Sequence, residues 1–195
     1  MRRIFLLLIL FLFSSTSLQA QKRAFTIEDL YRVKNISDLH LSPDGQTIIF
    51  TVTTSDLPRA RRNSHIWALD IGGNVNGQNP RQLTTSEKSE SSPLFSPDGR
   101  QISFISSKDG SADLYLMPAG GGEWRKLTNI STGVSDPLWS ADGKWILSRW
   151  MPPDRAGGLL LVAPDGSGHR LVVPEAQACP DRDQGCDMSW GQPKP

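Results

Sequence analysis

The stretch Ser96-Pro97-Asp98-Gly99-Arg100-Gln101-Ile102-Ser103-Phe104-Ile105-Ser106 decides the fold. Its first four residues form a turn: Ser suits the opening position of a type I turn, Pro fixes φ at the second, and Gly takes a positive φ at the end. Such a turn joins two antiparallel strands. The residues that follow alternate, with Ile102 and Phe104 on one face, which is the pattern of a half-buried strand.

The same words recur. Ser42-Pro43-Asp44-Gly45 precedes the quoted stretch, and an altered copy, Ser140-Ala141-Asp142-Gly143, follows it. Before each Ser stands an apolar residue, Leu41, Phe95 or Trp139, and two further back stand Leu39, Pro93 and Pro137. Six positions after each Ser is Ile48, Ile102 or Ile146; eight after are Phe50 and Phe104, but Ser148 in the third copy. A second turn, Ser107 to Ser111, leads to an apolar strand, Leu114 to Met117, with counterparts at 66–69 and 159–162. Gly-rich turns at 120–122, 72–73 and 165–168 lead to closing segments 125–128, 81–84 and 169–172. The second and third copies keep 31 residues from the Ser to the closing Leu; the first has 41, which places longer loops at Ser55 to Asn63 and Gly73 to Pro80.

Four short strands in about 40 residues are the content of one propeller blade. The expected fold is all-β: an incomplete β-propeller of about three four-stranded blades, with a β-sandwich or open β-solenoid as structural alternatives. Blade 1 is expected over 37–84, blade 2 over 91–128 and blade 3 over 135–173. A closed propeller needs at least four blades. The tail 174–195, with Met188-Ser189-Trp190, reads as the start of a further one. An open sheet flank pairs readily with other chains, so the sequence reads as part of a longer protein, with a second chain completing the propeller as the other option.

Ahead of the repeats, Met1-Arg2-Arg3, the apolar run Ile4 to Phe13 and the small polar run to Ala20 have the layout of a signal peptide over 1–20. The run is too short to span a bilayer, which takes roughly 20 apolar residues. Cleavage after Ala20 leaves a periplasmic or secreted chain, with no membrane contact expected and no Cys near the cut to carry lipid. It also removes Arg2 and Arg3, so 19 basic residues face 20 acidic ones. That balance argues against a nucleic-acid partner. In the N-terminal segment 21–36, Thr26 to Tyr31 predicts a short helix capped by Thr26, with Asp29 three residues on. It is expected to pack against the outer edge of the sheets.

Among candidate sites, Cys179 and Cys186 enclose six residues including Pro180 and Gly185. In an oxidising compartment a local disulfide is expected; a metal site lacks further ligands, and a redox pair more usually reads Cys-x-x-Cys. The loop Pro58 to Asn63 concentrates Arg59, Arg61 and Arg62, whose forks suit carboxylates; the plainer reading is a solvated loop. Trp124, Trp139, Trp145, Trp150 and Trp190 read as core or inter-blade packing ahead of binding shelves. His40, His65 and His169 fall in or beside repeat strands and read as ordinary strand side chains. No Gly-x-Ser-x-Gly occurs, no catalytic residue is assigned, and no cofactor or metal is expected.

Phe25-Thr26-Ile27-Glu28-Asp29-Leu30, Ile36-Ser37-Asp38 and Leu41-Ser42-Pro43-Asp44-Gly45-Gln46 resemble the N-terminal propeller of bacterial prolyl oligopeptidase-type serine peptidases, in the dipeptidyl- and acylaminoacyl-peptidase branch. The Ser-Pro-Asp-Gly blade is also similar to that of TolB, the periplasmic partner of the Tol-Pal system. The first resemblance implies a propeller that caps a C-terminal α/β-hydrolase domain and restricts entry to peptides. That domain, which would hold the Ser, Asp and His, has no counterpart here. The second implies a module that binds an envelope protein.

Overall fold

A computed structural model describes residues 23–73, 79–150 and 157–174. The signal peptide, Cys179, Cys186, Trp190, the tail from 175 and most of the stretch Gly73 to Pro80 lie outside the described residues. Two compact units are distinguished, residues 1–30 and 31–195.

The three repeats form three four-stranded antiparallel sheets, each a simple meander. Sheet 1 contains β1 (Asn35–Leu41), β2 (Thr47–Asp56), β3 (Arg61–Asp70) and β4 (Arg81–Gln82). Sheet 2 contains β5 (Glu90–Phe95), β6 (Gln101–Ser106), β7 (Asp113–Pro118) and β8 (Arg125–Lys126). Sheet 3 contains β9 (Val134–Trp139), β10 (Ile146–Trp150), β11 (Gly158–Val162) and β12 (His169–Pro174). The expected incomplete propeller is the observed architecture.

The Ser-x-Asp-Gly turn is more tightly tied than its type alone requires. In each copy the Gly amide donates to the Ser carbonyl, at 2.9, 2.8 and 2.9 Å. The three Gly residues sit at φ near 70°, where other side chains are strained. The Ser hydroxyl donates to the Asp carboxylate, at 2.5, 2.6 and 2.7 Å. It also accepts from the amide five residues on, Thr47, Gln101 or Trp145, at 2.9 to 3.0 Å. The Asp accepts the amide two residues on.

These bonds favour the ionised carboxyl. The Ser donation first, and the amide second, hold Asp44, Asp98 and Asp142 below the ordinary carboxylate value. A group with a depressed folded pKa contributes stability that is present above its unfolded value, about 3.9 for Asp, and lost as pH falls through the lower folded one. We expect the urea midpoint to fall on acidification below about pH 4, and to fall less in a variant with all three residues changed to Asn. Equal acid sensitivity in the two proteins would count against this account.

The apolar alternation packs sheet on sheet. Between sheets 1 and 2, Ile49, Ile66 and Ala68 meet Ile102, Phe104, Tyr115 and Met117. Between sheets 2 and 3, Ile105, Leu114, Leu116 and Leu127 meet Val134, Ile146, Leu160 and Val162. Sheet 2 therefore offers one strand parity to sheet 1 and the other to sheet 3.

One expectation is corrected. The long loop expected at Ser55 to Asn63 is a hairpin: Thr54, Ser55 and Asp56 pair with Asn63, Arg62 and Arg61. Only Leu57 to Ala60 turn the chain, with Ala60 at φ 48° and its amide bonded to the Leu57 carbonyl. Thr, Ser and Arg hid the strands, because a rim hairpin that stays half-exposed needs no apolar alternation. The short helix α1 (Ile27–Arg32) forms where expected, and Asp29 accepts from the Thr26 amide at 2.9 Å as a capping residue. No residue of α1 is buried.

Candidate functional site

Each first strand carries the same irregularity. The register of β1, β5 and β9 shifts at a bulge containing Asp38, Ser92 and Asp136. These three residues stand four positions before the turn Ser, at φ 51°, 53° and 51°. A bulge re-aims the side chains beside it. The three bulges line one cavity of about 390 Å³, together with His40, Leu94, Leu138, Leu147, Ser148 and Arg149.

The polar groups there are unevenly satisfied. The Asp38 carboxylate accepts the Thr51 hydroxyl at 2.9 Å and, across the sheet boundary, the Ser92 amide at 3.3 Å. Asp136 accepts the neighbouring Ser135 hydroxyl at 2.8 Å. Ser148 is wholly buried, and its hydroxyl has no hydrogen-bond partner among the described residues. Carboxylates, an imidazole and apolar walls suit an extended chain with polar and apolar groups. They do not assemble a nucleophile and a base.

A second polar cluster sits between sheets 1 and 2. Glu90 is fully buried, with His65 Nδ1 at 2.9 Å, the Ser106 hydroxyl at 3.3 Å and a short donation from Ser86. Ser86 bonds the carboxylate and not the imidazole, so this is not the serine–histidine–acid order of a triad. Among the described residues no group of three or more His, Cys, Asp or Glu is placed to hold a metal. No helix among them is long and apolar enough to cross a membrane.

The sequence candidates fall elsewhere. Arg59 binds Asp56 at 3.0 Å, and Arg61 donates to the Glu87 carbonyl at 3.2 Å. Arg61 and Arg62 are on β3, opposite Asp56 and Ser55. The three Arg therefore do not converge as one fork, and two of them are engaged within the chain. Of the Trp residues, Trp124 stands edge-on to Phe104 and Tyr115, with centroids 5.2 and 6.4 Å away. Trp139 donates to Ser103 from the next sheet at 2.8 Å. His40 lies on β1, as expected of a strand residue, and also lines the cavity. A signal was present: Ser37-Asp38, Ser91-Ser92 and Ser135-Asp136 recur in register with the turns.

Comparison with known proteins agrees with this architecture. The family model described as the TolB beta propeller domain matches residues 30–156. An uncharacterized peptidase, YuxL of Bacillus subtilis, is 38% identical over 129 residues, covering 65% of this chain and 19% of its own length. Dipeptidyl-peptidase 5 of Porphyromonas gingivalis is 29% identical over 122 residues, covering 63% of this chain and 17% of its own. The chain thus spans about a fifth of the length of these relatives. A solved structure titled as a putative TolB from Agrobacterium tumefaciens superposes with a TM-score of 0.55 at 23% identity, over 68% of this chain and 47% of that one. The match covers well over half of the sequence and the sheets that it names are present: this chain belongs to the TolB β-propeller domain family.

Proposed function

We propose that the chain is the non-catalytic propeller portion of an exported prolyl oligopeptidase-like serine peptidase. It gates or positions peptides for a hydrolase domain that lies outside the chain. The observation that carries this reading is the cavity ringed by all three first strands, in a chain 38% identical to part of a peptidase. A cavity of about 390 Å³ with polar groups on an apolar wall suits a peptide segment. That the sequence holds no Gly-x-Ser-x-Gly is in keeping with this reading.

The test is to express the hydrolase domain encoded in the reading frame after the Pro195 codon, with and without this chain. With it, cleavage of a protein substrate falls relative to cleavage of a short peptide. A frame without a Gly-x-Ser-x-Gly segment, or unchanged selectivity, removes the reading. The matched family model favours a second reading, a TolB-like periplasmic module that binds an envelope protein. Recovery of one envelope protein with the tagged chain from periplasm supports that alternative.

A further inference from the structure

We draw no further inference here: the strongest candidate, the cavity at the bulges of β1, β5 and β9 lined by Asp38, Asp136 and Ser148, belongs to the site already described, and nothing in the structure shows what covers its wall at Leu138, Leu147 and Leu159.

Discussion

Phe104→Ala is expected to cost about 3–5 kcal/mol, the range for removing a fully buried aromatic ring from a packed core. Phe104 is 0% exposed and stands at the centre of the first sheet boundary. Its ring stacks on Tyr115 with centroids 5.8 Å apart and meets Trp124 edge-on at 5.2 Å. Truncation removes both ring contacts and the partner of Ile49 and Ile66 across the boundary, leaving a cavity between sheets that backbone hydrogen bonds hold in place. Folded domains are stable by about 5–15 kcal/mol, so the loss is a large fraction of the whole. Urea titration followed by Trp fluorescence reads it directly, since Trp124 reports on the same contact. Phe104→Leu keeps most of the volume and should lose much less. If Ala and Leu cost the same, the ring contacts do not hold this boundary together.

The same position shows what was legible in the sequence and what was not. The pattern of Ile and Phe after each turn exposed the strands, because alternation reports directly which face is covered. It also marked the third repeat as different, since Ser148 replaces the Phe. What that replacement does, a buried hydroxyl without a partner beside a cavity, depends on three first strands converging, and no local pattern encodes convergence. The bulges were missed for a related reason. Ser-Asp and Ser-Ser are ordinary strand-edge residues until their φ near 50° turns them inward. The rim hairpin at Asp56 and Arg61 was misread because its strands are polar. Turn chemistry was the most legible feature, since Ser, Asp and Gly each do a separable job in four residues. The cluster around Glu90 was the least, because its members His65, Ser86 and Ser106 come from separate segments and their pairing has no spacing to read.

Asp113→Ala is expected to be as damaging as the loss of the ring, by another route. The Asp113 side chain is 0% exposed and receives the Lys126 ammonium at 2.8 Å, the Ser111 and Thr128 hydroxyls at 2.7 and 2.8 Å, and the Ile130 amide at 3.1 Å. Thr128 in turn accepts the Leu114 amide at 3.0 Å, so the carboxylate anchors both the start of β7 and the exit of β8. Burial alone pushes this carboxyl upward, but Lys126 and the other donors outweigh it and hold it below the ordinary value. Removing it leaves the Ile130 amide and the Ser111 and Thr128 hydroxyls without their acceptor, at about 1–3 kcal/mol for each buried group left unsatisfied, while the partly exposed Lys126 keeps Asn129 Oδ1 at 3.3 Å. The sum is about 3–5 kcal/mol. Asp113→Asn keeps the shape and one acceptor and should lose less, about 1–3 kcal/mol. The two routes separate on pH. The contribution of Asp113 is complete above the unfolded carboxylate value and fades as pH drops through its depressed folded value, so the gap between wild type and Asp113→Asn should narrow in acid. The gap between wild type and Phe104→Ala carries no such dependence. Urea midpoints for the three proteins at neutral and acid pH decide the matter: a gap for Asp113→Asn that stays constant across pH would show that the charge is not what holds these segments together.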